Sequence, residues 1–472
     1  MRRLRDGSLL GTLGRDIAYL TSGAVLAQIV LVVGQIITAR LYTPSEFGAF
    51  AIALAWANII AVVATLRYEM AIPLADTEDE ARAVTRLCLV ASTTVAVVLV
   101  IGLGAASAAG HVPFGIASAW WSVPLILWGT AVFAAVKMQA GRAGEFGRVG
   151  TAGVVASVGQ VGTQVGFGLL GFAPGLAAGQ GVGRVLNAAW IGTSGSLRSD
   201  VSMGTAARRW KRMPALNTLP ALLNVISVGA VAPLVERWFG LAFAGHFGFA
   251  TRLLAAPAVL LGQAVSQVLF PTLAKLDRTS GDAAGQVRRA TLALVLVALP
   301  VFSVVWLLGP EAFALVFGER WREAGLLAAV MAPWLAANFV SSPLASYATV
   351  KNKLGRILVI SLIEAGTRVA GLYLGVLTGS ALVGVIAYSV AGVGICVAFT
   401  GWVLSLAGVD RRGVVRDLSL PLALAVLVAA VSVAVRLTAP PVWTLVVGIV
   451  GVAVLSVVCG RRLWALLPRR SR

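Results

Sequence analysis

Along the 472-residue chain, apolar runs of roughly 20 residues alternate with short polar connections rich in arginine. A helix of that length covers a hydrocarbon core of about 30 Å. The pattern predicts spans at about 17–38, 47–66, 86–108, 120–140, 149–170, 174–195, 215–235, 244–270, 290–308, 324–349, 357–378, 381–406, 418–436 and 442–459. The predicted fold class is thus an all-α polytopic membrane protein with about 14 transmembrane helices. Composition agrees: 58% of residues are hydrophobic and 12% charged, against about 25% charged in a soluble domain. The first span follows a basic lead-in with no small-residue cleavage signal, which reads as an uncleaved segment. Arg2 and Arg3 match a twin-arginine signal only weakly, with nothing after them to support it.

The formal net charge of +19 would suit a nucleic-acid binder if it formed one patch. Instead the cations sort by loop. With the N-terminus taken as cytoplasmic, cytoplasmic loops and termini hold thirty of the 38 Lys and Arg residues. Opposite loops hold five (Arg40, Arg237, Arg320, Arg322, Arg436), and three lie inside spans. Such a bias sets membrane topology. It predicts cytoplasmic N- and C-termini and removes the nucleic-acid reading. The longest outer loop is expected at about 309–323, and the largest cytoplasmic loop is "SLRSDVSMGTAARRWKRMP". Cys88, Cys396 and Cys459 show no CxxC spacing, and His111 lies far from His246, so neither a disulfide framework nor a metal site is indicated. No cofactor is expected.

Both sides of the large cytoplasmic loop look alike. "ARLYTPSEFGAF" (39–50) pairs with "ERWFGLAFAGHF" (236–247), and "AIPLA" ending at Ala75 pairs with "FPTLA" ending at Ala274. "SVGQVGTQVGFGLLG" (157–171) aligns without gaps on "SLIEAGTRVAGLYLG" (361–375), with six identities in fifteen. Three matches in one order predict two six-helix halves related by an axis along the membrane normal, as in some transporters. The expected divisions are 1–197, a basic linker 198–214, a second half 215–409, and two extra helices with a basic tail in 410–472.

Charges within spans mark function by default, because ionised groups are costly in hydrocarbon. Here they are Arg184, Arg252, Glu364 and Arg368. Glu364 and Arg368 are four apart and share a helix face. The aligned positions of the other repeat are Gln160 and Gln164. Further amides sit at Gln180, Asn217, Asn224, Gln263, Gln267 and Asn338, among others. One reading is a polar cavity between the halves in which Arg184, Arg252, Arg368, Gln160 and Gln164 hold phosphate or sugar, since the arginine fork suits phosphate oxygens. Glu364 would then neutralise Arg368 or carry a coupling cation, a proton or sodium. The competing reading is a self-contained Glu364–Arg368 pair and amides that only join helices. "GQGVGR" (179–184) has phosphate-loop glycines, but it lies mid-span with no strand before it, and small-residue helix packing accounts for it better. Arg67 and Glu69 in "LRYEM" read as a solvated or capping pair. "TEDEAR" (77–82) reads as the solvated start of span three.

With "ARLYTPSEFGAFA", "LRYEMAIPLA" and the two six-span halves, the chain resembles the polysaccharide (O-antigen type) flippases of the multidrug/oligosaccharidyl-lipid/polysaccharide exporter superfamily. The resemblance implies export of lipid-linked oligosaccharide, on a polyprenyl pyrophosphate carrier, from the cytoplasmic to the outer leaflet by alternating access. Membrane lipids are the implied surroundings. Spans thirteen and fourteen would help form a groove for the lipid tail, as in the similarly laid-out lipid II flippases. The family has no tight catalytic signature, so the site residues rest on this chain alone. A cation-coupled multidrug exporter is the alternative within the superfamily, although drug cations favour acids and these spans hold three Arg and one Glu. A membrane-embedded polymerase or glycosyltransferase would need catalytic carboxylates or bases on a sizeable loop or domain, and none is present in the sequence.

Overall fold

The computed structural model describes residues 8–112, 119–192, 198–278, 281–438 and 441–466; Arg2, Arg3 and the side chains of Asn224, Gln263 and Gln267 lie outside what is described. Among the described residues the regular structure is helical. In order it comprises α1 (Ser8–Leu41), α2 (Pro44–Ala64), a 3₁₀ turn (Tyr68–Leu74), α3 (Glu78–Ala108), α4 (Ser122–Arg142), α5 (Phe146–Leu169) and α6 (Gly175–Gly192). There follow α7 (Met203–Arg209), α8 (Arg212–Gly229), α9 (Val231–Phe239), α10 (Leu241–Arg278) and α11 (Ala283–Phe317). A second 3₁₀ turn (Glu319–Trp321) leads to α12 (Arg322–Val350), α13 (Leu354–Leu377), α14 (Ala381–Leu406), α15 (Arg411–Thr438) and α16 (Pro441–Leu466).

Among the described residues ten helices are long and apolar enough to cross a membrane, fewer than the 14 expected spans. The four expected spans that do not qualify lie at α5, α6, α8–α9 and α10. Glycines and amides dilute the hydropathy of α5 and α6. The expected seventh span, 215–235, is divided at Ala230 between α8 and α9. Pro233 explains the break: it has no N–H to donate to the Gly229 carbonyl four residues earlier. The expected outer loop at 309–323 is instead largely helical, because α11 continues to Phe317 and α12 begins at Arg322.

The chain packs as two compact units, Met1–Gly248 and Phe249–Arg472. In the first, α5 lies against α1 and α6, α4 packs on α2, α3 and α6, and α2 also holds α8 and α9. In the second, α11 pairs with α12, α12 and α13 both pack on α14, and α15 and α16 pack on each other and on α11.

The start of α2 shows how the repeated motif builds structure. "TPSE" forms a capping box: Thr43 accepts from the Glu46 amide, and the Glu46 carboxylate accepts from the Thr43 amide at 2.6 Å. Pro44 opens the helix, where a missing N–H costs nothing. One turn later Gly48 meets α10. A Cβ on Gly48 would collide with the Leu241 carbonyl, and one on Gly245 would collide with the Pro44 carbonyl. In the aligned repeats Gly48 is the counterpart of Gly245, and Pro44 of Leu241. The contact therefore has the reciprocity that a local two-fold axis imposes.

Two polar segments, at the end of α2 and the start of α3, are more buried than expected at one carboxylate each. Glu69 is not solvated but 4% exposed, paired with Arg67 at 3.2 Å. Leu66 and Arg67 both adopt left-handed backbone, φ 48° and 60°, a conformation that costs about 1–3 kcal/mol per non-glycine residue. In "TEDEAR", Thr77 caps the Glu80 amide at 3.2 Å and Glu78, Asp79 and Glu80 complement the helix dipole. Glu80 itself is 4% exposed. It is covered because α7 folds over it, which spacing along the chain cannot foretell.

Gly48→Leu and Gly245→Leu are each expected to destabilise the protein by about 1–3 kcal/mol through overpacking. Gly102→Leu on α3, where nothing lies within 4 Å, should leave it unchanged. Thermal unfolding of the purified protein checks this, and equal transitions for all three would contradict the crossing.

Candidate functional site

The opposed charges on α13 come together. Arg368 Nη1 donates to Glu364 Oε1 at 3.1 Å across one helical turn. Arg368 Nη2 donates to the hydroxyl of Tyr388 on α14. The guanidinium carbon lies 4.0 Å from the ring centre of Trp334 on α12 and 4.2 Å from that of Tyr388. The two rings are themselves edge-to-face, with centroids 5.4 Å apart. One carboxylate, one hydroxyl and two π faces thus compensate the cation. The side chains remain 14% (Arg368) and 24% (Glu364) exposed. Arg368 Nε and Trp334 Nε1 are shielded and have no hydrogen-bond partner among the described residues.

The corresponding place in the first unit is built differently. Gln160 and Gln164, on α5, are buried against α6. Gly183 and Gly179 of α6 have no side chain where Gln160 and Gln164 pass, which lets the two helices close. The "GQGVGR" glycines are therefore helix-packing positions, as expected. Gln164 Nε2 donates to the Leu176 carbonyl at 2.9 Å. The Gln164 carbonyl accepts from the Tyr42 hydroxyl at 2.7 Å. Burial, then nearby Glu46, pushes the Tyr42 phenol up to about 12, so it stays a donor at neutral pH.

Arg184 directly follows Gly183 on α6. Its Cβ packs where Gly129 of α4 has none. Its Nε is shielded without a partner, and no ion pair is formed with it among the described residues. Arg252, on α10 in the second unit, is half-buried. Of the residues singled out in the sequence, Glu364 meets Arg368, and Gln160 and Gln164 meet α6.

Trp334 and Tyr388 were missed, because a lone aromatic in an apolar span carries no signal of its own. A pointer did exist in the repeat. The gapless offset that aligns Gln160 with Glu364 and Gln164 with Arg368 also aligns Arg184 with Tyr388. In one repeat the cation is on the second helix of the pair, in the other on the first.

Ten long apolar helices, one of them with a charge pair in its middle, define a multi-pass helical membrane protein. The fold matches an inward closed structure of the lipid II flippase MurJ, with a TM-score of 0.72 and 10% identity over 95% of this chain and 100% of that one. It also matches an inward-facing multidrug resistance MATE family transporter of the MOP superfamily, with a TM-score of 0.56 and 16% identity over 82% and 95% of the two chains. A MOP superfamily transporter from Pyrococcus furiosus matches with a TM-score of 0.55 and 14% identity over 84% and 96%. Residues 37–325, more than half of the sequence, match the family described as polysaccharide biosynthesis protein, and the chain belongs to that family. The succinoglycan biosynthesis transport protein ExoT of Rhizobium meliloti (strain 1021) is 27% identical over 111 residues. That stretch is 23% of this chain and about a fifth (22%) of ExoT.

A double-mutant cycle on Glu364→Ala and Arg368→Ala is expected to give a coupling of about 0.5–3 kcal/mol. The single variants should be destabilised by more than the double variant implies. Unfolding of the purified protein measures this, and additive effects would show that the pair does not stabilise α13.

Proposed function

We propose that the protein moves a lipid-linked saccharide across the bacterial cytoplasmic membrane, from the cytoplasmic to the outer leaflet. Its place in the polysaccharide biosynthesis family and its flippase-type fold support this reading. The observation that carries it to a site is Arg184, whose Nε is shielded with no hydrogen-bond partner and which forms no ion pair among the described residues. An uncompensated arginine in such a place suits an anionic group that comes and goes, and the pyrophosphate of a polyprenyl carrier has that chemistry. Arg252 and Arg368, both in the second unit, are the other cations proposed to bind anionic oxygens of the substrate. Glu364 would hold Arg368 neutral between substrates or take up a proton or sodium ion. Gln160 and Gln164 would contribute by fixing α5 against α6 beside Arg184. The two six-helix halves, 1–197 and 215–409, would open alternately to each side, with the basic loops and both termini cytoplasmic.

Multidrug export is the second reading, which the MATE-like fold favours. Three cations against one carboxylate among the intramembrane charges weigh against cationic drugs.

Alanine at Arg184, Arg252, Glu364 or Arg368 is expected to reduce flipping of a lipid-linked oligosaccharide in proteoliposomes at least tenfold for Arg184 and Arg368. Arg184→Lys should retain more activity than Arg184→Ala. Near-normal flipping by all four alanine variants would overturn the assignment, and export of a cationic dye in place of the saccharide would favour the second reading.

A further inference from the structure

The linker between the proposed halves is tied down on the first unit. Glu80, at the start of α3, receives three donors in its buried position. Oε1 accepts from the indole Nε1 of Trp210 at 3.0 Å and lies 3.0 Å from Arg209 Nε, while Oε2 accepts from the Asp76 amide at 3.1 Å. Arg209 also pairs with the Asp76 carboxylate. Around this centre, Ser199 Oγ donates to the Asp79 carbonyl at 2.7 Å and the Tyr68 hydroxyl donates to the Ala207 carbonyl at 3.4 Å. The loop beneath is held in turn by Arg142 at the end of α4. That side chain donates to the Pro73 and Ala75 carbonyls at 3.3 and 2.8 Å and to Glu78 at 3.2 Å. The same loop follows the left-handed pair Leu66 and Arg67.

We infer that Glu80, Arg209 and Trp210 form a clasp that sets how much free chain precedes α8, and that opening the clasp is a step of the transport cycle. The inference rests on the proposed transport function. Its physical basis is tether length. With Trp210 held, only two residue steps separate the anchor from the start of α8 at Arg212, a reach of about 7 Å. With the clasp open, the next tie is the Ala207 carbonyl held by Tyr68, and the five residue steps from there to Arg212 reach about 17 Å when extended. Closed, the clasp fixes the start of α8; open, it gives that end freedom to shift on α2. Glu80 is a positioning residue in this scheme, with no contact to substrate. The direction of the charges suits a reversible contact: Arg209 is half-exposed and Asp76 more so, while the Glu80 carboxylate they flank is shielded. Arg208, Lys211 and Arg212 are exposed on either side, so the clasp guards a stretch rich in tryptic sites.

Two measurements on the full-length protein in lipid nanodiscs and proteoliposomes test this. Glu80→Gln and Trp210→Phe, both checked for an intact thermal transition, are expected to speed tryptic cleavage within 198–212 about tenfold or more, the change that loss of one charge-assisted hydrogen bond produces. Asp76→Cys/Arg209→Cys, bridged by a short bis-thiosulfonate, is expected to lose most of its flipping of a lipid-linked oligosaccharide and regain it on reduction. Wild-type cleavage rates in both clasp variants, or unchanged flipping by the bridged protein, would overturn the clasp. A wild-type protein that binds lipid-linked oligosaccharide but does not flip it would instead overturn the transport reading, and the cleavage rates would then still decide whether the clasp exists.

Discussion

Inside a bilayer, helices gain nothing by hiding apolar surface from lipid, so close packing must hold them together. The reciprocal contact of Gly48 and Gly245 is the clearest case here. Two helix starts from equivalent repeats approach until backbone meets carbonyl, at a distance that any side chain would forbid. The α5–α6 pair follows the same rule, with Gly179 and Gly183 admitting Gln164 and Gln160. Polar side chains then work as supports to this packing. Gln164 reaches a backbone carbonyl of α6, and Tyr42 reaches the carbonyl of Gln164.

Charge obeys a second constraint, that a cation shielded from water needs compensation. Arg368 has it in four forms at once, from Glu364, from the Tyr388 hydroxyl and from the faces of Trp334 and Tyr388. Arg184 has no described anion. The two units thus differ: a charged and caged pair on α13 in one, and in the other an arginine with no anion among the described residues beside neutral amides.

The connections around α3 carry a third arrangement. Glu69 and Glu80 are buried there although each stands in a strongly polar stretch. Glu69 is covered by the turn that left-handed Leu66 and Arg67 produce. Glu80 is covered by α7, which lies more than a hundred residues further along the chain. Long-range closure of this kind turns a hydrophilic-looking segment into the interior of a hydrogen-bonded network.

The sequence by itself determined that the chain is a multi-pass helical membrane protein and that Glu364 and Arg368 lie within one long apolar helix. Both follow from local rules, namely the length of an apolar helix and the cost of an ion in hydrocarbon. Glu364 and Arg368 were legible as a pair because four residues make one helical turn. The tertiary structure alone decided what those charges meet. Trp334 and Tyr388 come from other helices, the break at Ala230 depends on where Pro233 falls in the hydrogen-bond ladder, and Arg209 and Trp210 reach Glu80 across a long stretch of chain. Contacts between distant segments depend on how helices cross, and crossing is set by shape in three dimensions, which spacing along one dimension does not encode.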